Sequence, residues 1–345
     1  MRGLTISAHG TLDQLELRDD LPEPALQRDT DVRVRIRAAA LNHLDLFVVG
    51  GLPGVTITPP WVVGSDGMGI VDAVGSAVTT VAVGDTVLLN PGTSDRTCEY
   101  CRSDDQPLCR NFHIAGEHRP GTLAELIVVP EVNVASIAAD TDMAQAAAFP
   151  LATLTAWRMM TTRARVVAGE HVLIWGIGGG VAVACLQIGK LLGAHVTAIS
   201  GSDEKLRRAR ELGADDTINH RGVDIGREMR ARTGKRGVDV VIDSVGEATW
   251  SQSLGALGKR GRIVTCGGTS GPTLTTDVRK LFWNQWTILG STMGSEREFA
   301  EITAHFRAGR LRPPVDQVYD LADGHAAYER LASGEQFGKV VVRVR

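Results

Sequence analysis

From residue 171 to residue 291 the sequence keeps one rhythm: a short apolar run, a turn, then an amphipathic stretch. Periodicity predicts strands at His171–Trp175, His195–Ile199, Asp216–Asn219, Val238–Asp243, Gly261–Cys266 and Thr287–Ser291. Between them it predicts helices at Val181–Leu192, Asp203–Leu212, Asp224–Thr233, Glu247–Leu257 and Asp277–Trp283, the first two stopped by Gly193 and Gly213. Apolar strands alternating with helices imply a parallel, doubly wound sheet, because parallel neighbours need helical crossovers.

The first of these strands runs into Gly176-Ile177-Gly178-Gly179-Gly180-Val181-Ala182 and then a helix. Glycine lets the backbone approach a pyrophosphate, and a helix N-terminus offers free N–H groups and a partial positive charge. Strand, turn and helix in this order point to a dinucleotide site on Gly176, Gly178, Gly179, Gly180 and Val181, with Ala182 packing helix against strand. An NAD site usually carries an acid at the end of the second strand for the ribose 2′-hydroxyl. This strand ends at Ser200-Gly201-Ser202, and Asp203 reads as a helix cap. Lys205, with Arg207 beyond it, stands where a 2′-phosphate would need a cation. The expected cofactor is therefore NADPH, held by Ser200, Ser202 and Lys205.

Upstream the pattern is β-rich. Asp31–Ala40 (DVRVRIRAAA) alternates charged and apolar residues, as a half-buried strand does. Gly67–Val74, Asp85–Leu89 and Leu123–Val129 are further strands, and Gly84-Asp85 is a turn. Downstream, Glu296–Ala308 reads as a helix and Lys339–Val344 as a closing strand. With 345 residues, 43% of them hydrophobic and 22% charged, the chain can bury two cores. A net charge of −3 and the lack of a Lys/Arg run argue against a nucleic-acid partner. Val172–Leu186 is apolar but glycine-broken, and shorter than the roughly 18 residues a membrane span needs. Met1–Gly10 lacks a signal-type apolar core, so the expected location is the cytoplasm.

The cysteines are Cys98, Cys101, Cys109, Cys185 and Cys266. The first three, spaced C-x2-C-x7-C, read as a metal site before they read as disulfides. Asp95 precedes them by one further x2 spacing and supplies a fourth donor, with Asp104 a less well spaced competitor. Four donors close a tetrahedral zinc site and leave no open position, so one structural Zn2+ is expected on Asp95, Cys98, Cys101 and Cys109.

These features meet in one family. Gly67–Val87 (GMGIVDAVGSAVTTVAVGDTV), the cysteine lobe, Ala182 and Phe337-Gly338-Lys339-Val340-Val341 resemble the medium-chain dehydrogenase/reductase superfamily, on its quinone oxidoreductase-like and enoyl reductase-like side. The resemblance covers essentially the whole chain. It implies an α/β protein with a GroES-like β-barrel domain over 1–148, completed by 306–345, and a Rossmann domain over 149–305, the active site lying in the cleft between them. It adds Thr153, Gly267 and Lys339 to the cofactor contacts. Zinc alcohol dehydrogenases of this superfamily take catalytic ligands at three positions that fall on Asn42, Ser65 and Leu151, none of them a good zinc ligand.

Without that zinc, adding hydride to an electron-poor double bond is easier than deprotonating an alcohol. The resemblance implies an NADPH-dependent oxidoreductase acting on a small enone, quinone or enoyl-type acceptor. Asn42 is a candidate donor to the developing oxyanion, Asp45 a candidate to orient it, and His43 a candidate proton donor or cofactor contact. Helix capping is the alternative for Asn42 and Asp45, because N-x-x-D before an apolar helix is a capping-box spacing. A carbonyl reductase or alcohol dehydrogenase, and a non-catalytic NADPH-binding protein, remain as alternatives. In the family the last Rossmann strand, Thr287–Ser291, pairs across a dimer, so a homodimer or homotetramer is expected.

Overall fold

The computed structural model describes residues 1–344; Arg345, the end of the expected 306–345 segment, lies outside the described residues. It divides into two compact units, one built from Met1–Leu154 with Met293 onward, the other from Thr155–Thr292.

The second unit holds a six-stranded parallel sheet in the order Asp216–Asn219, His195–Ser200, His171–Ile174, Val238–Ile242, Leu257–Thr265, Thr287–Gly290. Strands covered on both faces need continuous apolar runs, and Val172, Leu173, Ile174, Val240 and Val241 are fully or almost fully buried. The chain steps outward from His171–Ile174 on one side, then returns to build the other side, which makes its carboxyl end the switch point where ligands of such sheets bind. The fifth strand starts at Leu257 rather than Gly261, because Leu257 already pairs with Val238 before the register shifts to Val240–Arg262. Ser202, Asp224 and Asp277 cap the helices that follow them, so the cap expected at Asp203 falls on Ser202. Asp203 instead accepts a hydrogen bond from Asn219 Nδ2 at 2.7 Å.

The first unit is an antiparallel barrel-type sheet centred on Asp31–Ala40, which pairs with Asp66–Val74, Leu126–Pro130 and the C-terminal strand Lys339–Arg343. Lys339–Arg343 carries in turn the parallel strand Val315–Asp320; neither this strand nor the following helix Gly324–Ala332 is among the elements expected from the sequence. Gly69 of the 67–87 segment is required by a close approach: a β-carbon there would stand 2.3 Å from the Arg35 carbonyl oxygen. Leu123 lies outside the strand expected there, since its backbone bonds to Leu4 and Val63 rather than to Asp31–Ala40.

Two departures concern the boundary between the units. The helix Pro150–Trp157 and the π-helical turn Arg158–Arg163 replace what the sequence reading left as connection. The helix Glu296–Arg307, expected with the Rossmann domain, packs in the first unit, where the Phe306 ring lies 4.5 Å from that of Phe149 and Arg307 Nε donates to the Ser136 carbonyl at 2.9 Å. Among the described residues no helix is long and apolar enough to cross a membrane.

Candidate active site and metal centre

The glycine turn follows the strand His171–Ile174. Gly176 and Gly178 adopt φ values of 68° and 118°, which a side chain would disfavour, and Gly179 caps the helix Gly180–Leu191. Ile177 N bonds to the Ile199 carbonyl at 3.0 Å, which ties the turn to the end of the second strand. The first backbone N–H groups of the helix thus end beside a chain reversal made of glycine, the arrangement that accepts a pyrophosphate. Gly267 lies exposed just after the fifth strand, its carbonyl accepting from Thr265 Oγ1 at 2.8 Å.

At the end of the second strand Ser200 is buried, and Ser202 Oγ accepts from the Lys205 backbone N–H at 3.4 Å, which leaves its own proton to donate. Arg207 is held by Glu204 and Glu211 on its own helix, which makes it an exposed surface charge rather than a ligand for phosphate. Sequence reasoning missed two neighbours. A β-carbon added at Gly201 would stand 3.1 Å from Arg221 Nε and 3.1 Å from His220 Nε2. Both come from the turn after the third strand, and only the parallel pairing of Ser200 with Asn219 brings that turn beside Gly201.

The first unit gathers a buried polar cluster from four distant segments. Asp66 accepts from Asn42 Nδ2 at 2.9 Å, from Lys339 Nζ at 2.9 Å and from the Leu151 backbone N at 2.6 Å. Lys339 Nζ also donates to Asn42 Oδ1, which fixes the orientation of that amide. Asp45 accepts from the Asn42 backbone N at 2.7 Å and from Ser65 Oγ at 3.1 Å. All three positions of the zinc alcohol dehydrogenase ligands, Asn42, Ser65 and Leu151, thus bond to the two carboxylates. The cluster does not fit a catalytic zinc: Asn42 Oδ1 faces an ammonium, Ser65 donates its proton to Asp45, and Leu151 has no donor atom in its side chain.

Each expected site residue of this unit has a definite place. Asn42 and Asp45 form the capping box of the helix His43–Gly50, so the capping alternative describes Asp45, which is buried and bonded within the protein. His43 stands exposed in the first turn of that helix, with Phe47 one turn on. Lys339, expected on the cofactor, is buried to 3% exposure and paired with Asp66 and Asn42. Thr153 is buried in the helix Pro150–Trp157. Tyr328, on the helix Gly324–Ala332, is fully buried; burial and then the Asp45 carboxylate push its phenol far up, and among the described residues its hydroxyl has no hydrogen-bond partner. Glu117 is a further buried carboxyl missed by the sequence reading, pushed up by burial, on a loop whose Gly116 abuts Gly64.

The cysteine lobe brings Asp95, Cys98, Cys101 and Cys109 together with one ligand atom from each within 4.8 Å of the others. None of the cysteines is in a disulfide. The Thr97 and Cys98 N–H groups and the Asn111 amide hold the Asp95 carboxyl well below the usual range, so it is an ionised oxygen donor. Burial pushes the Cys101 thiol up to about 11, a cost that a bound cation removes by deprotonating it. Asp104 stands apart, paired with Arg297 at 2.6 Å. The donor set fits a closed zinc site on the four expected residues.

Comparison with known proteins gives the family and the fold. Residues 180–308 match the zinc-binding dehydrogenase family, and residues 28–139 match the alcohol dehydrogenase GroES-like domain. The chain is 33% identical to a zinc-type alcohol dehydrogenase-like protein of Schizosaccharomyces pombe, over 91% of both chains. It is 30% identical to a quinone oxidoreductase of Pseudomonas aeruginosa, over 98% of both. The crystal structure of an NAD-dependent alcohol dehydrogenase superposes over 100% of both chains with a TM-score of 0.96 and 42% identity.

Burial raises the Asp45 carboxyl to about 7, against the opposing pull of the Asn42 N–H and the Lys339 charge and with the help of Asp66. The folded state therefore binds this proton more tightly than the unfolded chain does. Its contribution is fully present below the unfolded value near 4 and is lost as pH rises through about 7. Urea midpoints measured from pH 4 to 8 should fall with rising pH across this window, and Asp45→Asn should flatten the slope. An unchanged slope in the variant would assign the titration elsewhere.

Proposed function

The chain belongs to the medium-chain dehydrogenase/reductase superfamily, and on that footing we propose that it is an NADPH-dependent reductase of activated double bonds or quinones that works without a catalytic zinc. The observation that carries this reading is the buried Lys339–Asp66–Asn42 cluster at the ligand positions of the zinc enzymes. A dication there would face an ammonium a few ångströms away in a desolvated site, a costly repulsion.

Bound NADPH supplies the hydride that adds to the β-carbon of the acceptor, leaving an electron pair on the acceptor oxygen. The protein's tasks are to hold both partners and to meet that charge. The glycine turn Gly176–Gly180 and the N-terminus of the following helix hold the pyrophosphate. Ser200, Ser202, Lys205 and the newly found Arg221 hold the 2′-phosphate, Arg221 as the planar donor suited to it. Asn42, its Oδ1 fixed by Lys339 and one Nδ2 hydrogen by Asp66, turns the other Nδ2 hydrogen from its long 3.5 Å contact with the Ala40 carbonyl to the developing oxyanion. His43 and Thr153 serve the nicotinamide side, and Asp45 acts indirectly, by holding the Asn42 backbone.

The second reading is an NAD(P)-dependent alcohol dehydrogenase, favoured by the 42% identity to a solved NAD-dependent alcohol dehydrogenase. Steady-state assays separate the two. With an enone or quinone, kcat/KM for NADPH should exceed that for NADH at least about tenfold, and Arg221→Ala should raise the NADPH KM by about tenfold, near 1.4 kcal/mol, while leaving the NADH KM unchanged. Faster turnover of an aldehyde than of either acceptor, or a preference for NADH, would reject the first reading.

The cysteine lobe holds a structural zinc in this proposal. Elemental analysis should show Cys109→Ser losing about one zinc per chain together with a lower Tm; equal zinc in the two proteins would exclude the assignment.

The proposal also includes a homodimer. The edge strand Thr287–Gly290 pairs only with Leu257–Thr265 among the described residues, and the preceding helix Val278–Asn284 buries no side chain, leaving Phe282 63% and Trp283 77% exposed. An unpaired edge beside an apolar face invites a second copy. Sedimentation should give a dimer that Trp283→Lys dissociates, and a monomeric parent chain would refute it.

A further inference from the structure

A second group of metal-ligand residues lies in the Rossmann unit, at the edge of its sheet opposite the glycine turn. His171, His195 and Asp216 each open a strand, and the three strands are neighbours. Register pairs His171 with His195, and Thr197 with Asp216. Because His195 and Thr197 are two residues apart, all three ligand-type side chains project from the same face of the sheet.

One ring nitrogen from each histidine and one Asp216 oxygen lie within 4.8 Å of one another. The two rings meet edge-on, at 73°, with centroids 4.5 Å apart. Two imidazoles sharing one ion through bonds of about 2 Å have centroids roughly 5 Å apart, so the rings already stand near a bridging separation. His195 Nε2 and Asp216 Oδ2 are 2.8 Å apart, and His171 Nε2 lies 2.7 Å from Thr197 Oγ1. His171 is half-buried beneath the exposed His195 ring. A simple histidine–aspartate pair would leave the second imidazole, whose ring meets the first edge-on, unexplained. The surrounding charges are balanced: Arg232 reaches Asp216 at 3.4 Å, and Arg236 is held by Asp239, which also accepts the His171 backbone N–H at 2.9 Å. Arg232 is held more closely by Glu228, at 2.7 Å, so it keeps a partner when a cation takes its place on Asp216.

We propose that His171, His195 and Asp216 bind one divalent first-row cation of the Zn2+ type, with water completing the coordination, and that the ion clips three adjacent parallel strands together at their amino ends. Two imidazoles and one carboxylate are an acceptable N/O set for such an ion, and the open positions make the site weaker than the four-donor cysteine lobe. The site is chemically independent of the cysteine lobe and of the Asn42–Asp66–Lys339 cluster.

The test uses the full chain, stripped with a chelator and titrated with CoCl2 and then, separately, ZnCl2. Co2+ in the cysteine lobe gives an intense thiolate-to-metal charge-transfer band, whereas Co2+ on two histidines and an aspartate gives only weak ligand-field bands. We expect two equivalents, the second taken up without further growth of the charge-transfer band and accompanied by a rise in Tm. His195→Ala and Asp216→Asn should each abolish the second equivalent and keep the first, and Cys109→Ser should do the reverse. His195 and Asp216 are partly exposed, so folding of the variants is checked by the retained thiolate band. Uptake of a single, thiolate-bound equivalent by the parent chain would overturn the proposal. So would a second equivalent that survives both substitutions, because that ion would sit elsewhere.

Discussion

The buried contact between Lys339 and Asp66 is the interaction on which the first unit depends. Both side chains are almost wholly removed from water, at 3% and 0% exposure. Desolvating two such charges costs several kcal/mol each, and the pair is tolerable only with further hydrogen bonds. Asp66 obtains them from Asn42 Nδ2 and the Leu151 N–H, and Lys339 from Asn42 Oδ1. The groups come from the end of the central strand, the start of its neighbour, the helix at 150–157 and the C-terminal strand. The tail is therefore fastened into the sheet both by backbone pairing with Ala38–Ala40 and by the buried bonds of Lys339 to Asp66 and Asn42.

The same contact decides what the locus can hold. A tetrahedral zinc site needs deprotonated or neutral lone-pair donors converging on one point. The lone pairs of Asn42 Oδ1 and Asp66 Oδ2 do converge, but on an ammonium carried by the chain itself. The lobe at 95–109 shows the opposite design: three thiols and an ionised carboxylate converge with no basic side chain among them. Two sets of family positions, one emptied of ligands and one retaining four donors, thus follow different chemistry within one unit.

Much of this was legible in the sequence. The six Rossmann strands carry their own signal, because a strand buried on both faces must be apolar throughout, and their boundaries moved by only a residue or two except at Leu257. The cysteine lobe was readable because its donors lie close along the chain. The cluster around Asp66 was not, since Asn42, Asp66, Leu151 and Lys339 are separated by long stretches and nothing local in Lys339 distinguishes a buried ammonium from a phosphate ligand. Arg221 was hidden for a similar reason: it reaches Gly201 only through parallel pairing of the second and third strands. Tyr328 lay in a tail segment with weak periodicity, and only packing reveals that it faces Asp45.

The charge balance of the cluster bears on the kind of reaction it can support. Two carboxylates and one ammonium sum to −1 if all are ionised, an unfavourable state in a dry interior. Asp66 has the ammonium and two further donors, and Asp45, with two neutral donors, is the carboxyl that burial pushes up to about 7. Once Asp45 is protonated the cluster is neutral. An added cation would then meet the Lys339 ammonium, whereas a negative charge forming against Asn42 would be met by that ammonium through the amide. A locus balanced in this way is suited to an oxygen that gains negative charge more than to a metal ion that must first be accommodated.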